Sequence, residues 1–198
     1  MANIDMLTLY GPAALIVFIT VWGLARILYL WKAEDVSVLT ILKQKKTPAE
    51  RLLSLTALLL DGYLLSRPFI PELDELAYAY PSPAPLVGLT ITVIGLLIVV
   101  VCQFTMGKAW RIGVPSEKER SQKLIKEGLY AYSRNPIYVG VLLFVAGCFL
   151  TVPGPIPGIS LLLTLWFLRA IIKREEAFMT ASFGKDYDAY CHEVRRWL

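Results

Sequence analysis

An all-α integral membrane protein of about five transmembrane helices is the fold class the sequence predicts, the last two helices forming a short hairpin. Hydrophobic residues make up 56% of the 198 residues and charged residues only 18%. The mean hydropathy is +0.56. Long apolar runs recur along the chain, and a soluble domain of this length cannot bury so many of them. The polar segments between the runs alternate in charge, as loops on opposite sides of a bilayer do.

The first run, Leu7 to Trp31, is long enough to cross a bilayer. Arg26, near its end, can snorkel towards the side of Lys32, with Tyr29 and Trp31 as interfacial residues. Lys32 to Arg51 is a basic loop carrying Lys43, Lys45 and Lys46. Leu52 to Leu65 is a second apolar run, extendable through Pro68-Phe69-Ile70 with a break at the proline. Its Asp61 is expected to face other helices or a cavity, because a lipid-facing carboxylate is costly. Glu72 to Pro85 is acidic and proline-rich. Leu86 to Met106 is the cleanest span, and Gly88 and Gly95 allow another helix to come close. Gly107 to Arg134 is polar, with seven basic residues against three acids. Ile137 to Val152 and Ile159 to Ile172 are apolar but short, separated by a predicted tight reversal over Pro153–Gly158. The tail, Lys173 to Leu198, is charged, and Tyr187 and Tyr190 stand three apart, on one helix face.

By the positive-inside rule, the basic segments and the C-terminus are cytoplasmic, and the N-terminus and Glu72–Pro85 lie outside. No basic region precedes the first apolar run, so it does not read as a signal peptide. The chain divides into an N-terminal three-span region, 1–106, and a second unit, 107–198, whose two polar segments meet on the cytoplasmic face. Three scattered cysteines (Cys102, Cys148, Cys191) and the lone His192 argue against a zinc site.

Chemistry-bearing residues concentrate between Lys123 and Gly140, where Tyr130, Tyr132, Arg134, Asn135 and Tyr138 fall within nine residues. The plain account is a membrane-surface belt, with Pro136 at the first position of a helix. Glu175 and Glu176 stand where the last apolar run ends, although a helix C-terminus prefers cations. Either the helix continues into solvent, or a carboxylate turns towards the Arg134 cluster to hold a cationic or hydroxyl-bearing ligand; spacing leaves both open. The sequence has no P-loop, no G-x-S-x-G and no H-E-x-x-H, and no G-x-G-x-x-G follows a strand. Such an inventory suits a reaction needing little acid–base help, such as direct displacement of a methyl group from a sulfonium donor.

The segment Leu124-Ile125-Lys126-Glu127-Gly128-Leu129-Tyr130, followed by Arg134-Asn135-Pro136-Ile137-Tyr138-Val139-Gly140, resembles the isoprenylcysteine carboxyl methyltransferase and phospholipid methyltransferase superfamily of membrane enzymes. The likeness continues in Arg174-Glu175-Glu176, Phe183-Gly184-Lys185-Asp186-Tyr187, Tyr190 and Val194-Arg195-Arg196-Trp197-Leu198, and is preceded by Gly107-Lys108-Ala109-Trp110-Arg111. It implies that 107–198 is a methyltransferase core whose cytoplasmic helical segments form a pocket for S-adenosylmethionine, with S-adenosylhomocysteine as product. Carried over, Leu124, Gly128, Leu129 and Tyr130 line the cofactor, Arg134, Asn135 and Tyr138 contact its polar ends, and Glu175 completes the pocket. Arg134, Glu175 and Glu176 are the implied catalytic residues, one glutamate facing the cofactor and the other the acceptor. Many members have histidine where this chain has Asn135, so no histidine proton shuttle is available there.

The acceptor implied is lipophilic and enters from the bilayer, an isoprenylcysteine-like carboxylate first, a phospholipid amine or small thiol next. A non-catalytic membrane scaffold is the reading from another class, distinguished by failure to bind S-adenosylhomocysteine. A reductase-like protein would bind NADPH instead. Membrane lipids are expected partners, nucleic acid is not, and the oligomeric state is open.

Overall fold

The computed structural model describes residues 2–34, 47–77, 84–110 and 123–197. Lys43, Lys45, Lys46, Arg111 and Leu198, all used in the sequence reading, lie outside them. The described chain is helical: α1 (Ala2–Glu34), α2 (Pro48–Ser66), α3 (Ala84–Met106), α4 (Pro136–Thr151), α5 (Pro155–Phe183) and α6 (Lys185–Glu193), with short 3-10 turns at Pro71–Leu76, Gly107–Ala109 and Gly128–Ala131.

At the centre is the pair α3 and α4, packed antiparallel along a seam of small residues. A Cβ added at Gly95 would lie 2.5 Å from Phe144 N and 2.6 Å from Gly140 O, and one at Gly88 would lie 2.5 Å from Thr151 N. Gly147 faces Thr92 and Gly88 O across the same seam. Gly88 and Gly95 are seven apart, as are Gly140 and Gly147, so each pair returns to one helix face and the backbones meet. Gly88 and Gly95 stand out in the sequence; their partners on α4, Gly140 and Gly147, show only in the packing.

The other helices wrap this pair. α5 packs on α4 and on α2, and α1 lies against α3 and α2. Ile16, Leu60, Leu64, Val145, Cys148 and Val152 form the buried core between them. Away from it, Leu58 (72% exposed), Leu162 and Trp166 point outwards, as apolar side chains do in lipid. Pro12 has no N–H to give the carbonyl one turn earlier. That carbonyl, Thr8 O, instead accepts from buried Arg67 Nη1 at 3.2 Å, fastening the end of α2 to α1. At its start α2 is closed by a capping box, Glu50 N donating to Thr47 Oγ1 and Thr47 N to Glu50 Oε2 at 2.7 Å.

Among the described residues, three helical stretches are long and apolar enough to cross a membrane: Met6–Lys32, Ala84–Ala109 and Pro155–Phe183; Pro136–Thr151 is apolar but shorter. The expected short final hairpin is therefore corrected. Its second arm is a helix of 29 residues, which begins at Pro155, inside the predicted reversal, and runs on through Arg174-Glu175-Glu176. Pro155 and Pro157 are tolerated because the first turn of a helix has no use for their missing N–H groups. The charged stretch stays helical because Lys, Arg, Glu, Ala and Met are strong helix formers. The helix stops at Gly184, whose φ of +52° suits glycine and lets α6 fold back.

Candidate active site

The site is built where one end of α3, α4 and α5 meets α6 and the segments 123–135 and 194–197. Arg134 organises it. Its backbone N–H donates to Arg195 O at 2.9 Å, its Nη1 to Cys191 O at 3.2 Å and its Nη2 to Glu176 Oε1 at 3.1 Å. Glu176 also receives both arms of Arg196, Nε on Oε1 at 2.9 Å and Nη2 on Oε2 at 2.7 Å. One carboxylate on α5 thus holds two guanidiniums whose chain positions are far apart. Hydrogen bonding to Glu176 raises the Arg196 pKa above its ordinary value. Asn135 adds a parallel tie, Nδ2 donating to Arg196 O at 3.1 Å, so its side chain serves the tail and leaves the start of α4 uncapped.

Glu175 points elsewhere. Its Oε2 accepts from Tyr138 OH at 2.7 Å. The two adjacent glutamates therefore face different partners, Glu175 the first turn of α4 and Glu176 the arginines. On α6, Tyr190 OH donates to Tyr130 O at 2.6 Å, which locks the 3-10 turn Gly128–Ala131 against the tail. Burial pushes the Tyr190 phenol up to about 12, and raises the Tyr130 phenol further above its ordinary value.

A cleft opens among these groups. Leu124, Tyr130, Arg134, Asn135, Glu175 and Glu176 line it, each singled out by the sequence. Gly128, Leu129 and Tyr138 do not line it. Gly128, at φ +60°, supplies the turn into the Tyr130 segment, and a Cβ there would stand 3.1 Å from Thr105 Oγ1. Tyr138 reaches the cleft only through Glu175. The lining residues that sequence reasoning missed include Met106, Ile125, Phe178, Met179 and Tyr187. A signal existed for two of them: Phe178 and Met179 stand three and four residues beyond Glu175, on the same face of a continuous helix.

The residue set fits a sulfonium nucleoside with an amino-acid tail. Leu124, Ile125, Met106 and Phe178 offer an apolar wall for a heteroaromatic ring, while the carboxylates and Arg134 offer charge of both signs. Arg134 Nε is a buried donor with no hydrogen-bond partner among the described residues. Such a donor is costly unless a ligand supplies an acceptor.

The sequence model of the phospholipid methyltransferase family matches residues 84–186, from the start of α3 into α6. The chain belongs to this family. Curated relatives are the protein-S-isoprenylcysteine O-methyltransferase of Rattus norvegicus, 31% identical over 67% of this chain and 45% of its own length, and the probable protein-S-isoprenylcysteine O-methyltransferase of Oryza sativa subsp. indica, 32% identical over 65% of each. The chain thus spans about half to two thirds of the length of these relatives. The solved structure of the eukaryotic intramembrane Ras methyltransferase, isoprenylcysteine carboxyl methyltransferase, superposes with a TM-score of 0.55 at 22% identity, over 76% of this chain and 52% of that one. That likeness gives this family member the fold of a membrane protein.

Proposed function

We propose that the protein is an S-adenosylmethionine-dependent methyltransferase acting at the membrane interface on a lipophilic acceptor. The observation that carries this reading is the convergence of Leu124, Tyr130, Arg134, Asn135, Glu175 and Glu176 on one cleft, within a family named for methyl transfer to lipids. When bound, the cofactor supplies a methyl group on a sulfonium, a leaving arrangement that needs no general acid. Arg134, already fixed by Glu176 and Cys191 O, presents the N–H groups those two bonds leave over to an anionic end of the ligand. Glu175, held by Tyr138, keeps a carboxylate in a dry position where it steadies positive charge. Apolar Leu124, Ile125, Phe178 and Met179 exclude water from the displacement.

The acceptor of first choice is an isoprenylcysteine-like carboxylate, by the similarity to the curated relatives. One observation favours a phospholipid amine as the second reading: the Glu175 carboxylate lining the cleft, when ionised, would repel an acceptor anion and attract an ammonium. The cleft belongs on the cytoplasmic side of a five-span, N-out bundle, with 107–198 as the catalytic unit. Support comes from the gathering of the Arg26, Glu50, Met106, Asn135 and Arg174 ends of the helices, through contacts such as Arg174 Nη1 to Glu50 Oε2 at 3.1 Å.

Calorimetric titration of the detergent-purified protein with S-adenosylhomocysteine tests the donor site. Saturable one-to-one binding supports it. A folded sample that does not bind moves the assignment to a non-catalytic scaffold, and binding of NADPH instead moves it to a reductase. Methyl transfer assays with a prenylcysteine analogue and with phosphatidylethanolamine then separate the two acceptors.

A further inference from the structure

Arg174, Glu175 and Glu176 are consecutive on α5, and each binds a different part of the molecule. Glu175 meets Tyr138 in the first turn of α4, and Glu176 takes Arg134 and Arg196. Arg174 reaches the start of α2, its Nη1 donating to Glu50 Oε1 at 3.2 Å and to Glu50 Oε2 at 3.1 Å. Neither Arg174 nor Glu50 lines the cleft. Glu50 also lies outside residues 84–186, the part of the chain that matches the family.

Glu50 is a fixed partner for Arg174. Its Oε2 accepts from Thr47 N at 2.7 Å and from Thr47 Oγ1 at 2.9 Å, and its side chain is only 11% exposed. The carboxylate is therefore oriented by the cap of its own helix and largely out of water. A surface pair between two free side chains contributes little, because both must be ordered and water screens them. Here half of the pair is already in place. The Glu50 carboxylate is also within electrostatic reach of the phenol of Tyr138, the group that holds Glu175.

On a helix, Arg174 and Glu176 diverge by about 200°, with Glu175 between them. A tie on each flank fixes how far α5 is turned about its axis, and with it the direction of Glu175. We propose that Arg174 and Glu50 are positioning residues for methyl transfer, their ion pair setting the turn of α5 that presents Glu175 to the cleft. This role rests on the methyltransferase reading above. It makes the start of α2 a working part of the site without contact to either ligand.

Steady-state turnover and calorimetry on the full chain in detergent test this, with S-adenosylmethionine as donor and a prenylcysteine analogue and phosphatidylethanolamine as acceptors. Arg174→Gln should lower kcat at least about tenfold and leave both the KM for S-adenosylmethionine and the affinity for S-adenosylhomocysteine unchanged. Because a single nitrogen makes both contacts to Glu50, Arg174→Lys should recover most of the rate. Lys173→Gln removes the same charge at the exposed neighbouring position and should turn over like the wild type. A wild-type kcat in Arg174→Gln, an equal fall in Lys173→Gln, or no recovery in Arg174→Lys overturns the proposal. Loss of S-adenosylhomocysteine affinity together with kcat overturns it too and moves Arg174 to the donor site. Should Arg174→Gln not fold, Glu50→Gln should give the same split between kcat and KM, and a wild-type kcat there counts against the role. A folded wild type that binds no S-adenosylhomocysteine strikes the methyltransferase reading itself, and the positioning role falls with it.

Discussion

Tyr138 and Glu175 meet in a 2.7 Å hydrogen bond that joins the first turn of α4 to the last third of α5 beside the cleft. The phenol holds one carboxylate oxygen and so sets the direction of the group. Glu175→Gln keeps the shape and removes the charge, and Tyr138→Phe removes the bond. Each is expected to slow methyl transfer about tenfold to a hundredfold, the equivalent of about 1–3 kcal/mol, while S-adenosylhomocysteine affinity changes less. Turnover and calorimetry on the two variants check this, and full activity in both would return Glu175 to a purely structural place.

The two arginines on Glu176 should not be equivalent. Arg134 is 12% exposed in its side chain and Arg196 48%. Arg134→Ala leaves Cys191 O without its side-chain donor and takes one of the two arginines from Glu176, which keeps Arg196 on both oxygens; it is expected to cost about 1–3 kcal/mol and to weaken cofactor binding with the helical bundle intact. Arg196→Ala removes a solvent-screened pair, with an expected cost below about 1 kcal/mol. Thermal unfolding in detergent, followed by circular dichroism, orders the two; the reverse order would contradict the geometry.

Glycine positions give a paired stability test. Gly95→Ala drives a methyl group into the backbone of α4 and is expected to destabilise by about 1–3 kcal/mol. Gly62 lies inside α2 with nothing within 4 Å of an added Cβ, so Gly62→Ala should stabilise by about 0.5–1 kcal/mol. The two midpoints should move in opposite directions.

Tyr190 offers a pH test. Burial raises its phenol from the ordinary 10.0 to about 12, so the folded protein prefers the neutral form. The stability this contributes is fully present below pH 10 and is lost as pH rises through about 12. In an alkaline titration followed by phenolate absorbance, Tyr190→Phe should remove one late-ionising tyrosine and lower stability at neutral pH as well. Loss of an early-ionising tyrosine instead would contradict its burial.

Hydropathy made the apolar helices legible, and Gly88 and Gly95 made half of the central seam legible. Sequence could not announce that Arg134, Glu176 and Arg196 converge, because α5 and α6 must first fold back at Gly184 before residues so distant in the chain can touch. Nor did it separate the roles of the adjacent glutamates. On a helix, neighbours diverge by about 100°, so Glu175 and Glu176 were bound to face different ways, but which way depended on where Tyr138 and Arg134 stood. The last helix runs on past the apolar run that ends at Ile172 because hydropathy falls at Lys173 while helix propensity does not.

The glycine seam makes α3 and α4 a single rigid strut that carries both jaws of the cleft, Met106 at the end of one helix and Asn135 at the start of the other. Gly88 and Thr151 close the strut at its opposite end. A wedge at Gly88 would then work as a lever, prying the jaws across the thickness of the bilayer. Affinity for a ligand in the cleft becomes a gauge of how tightly two helices touch on the far side of the membrane.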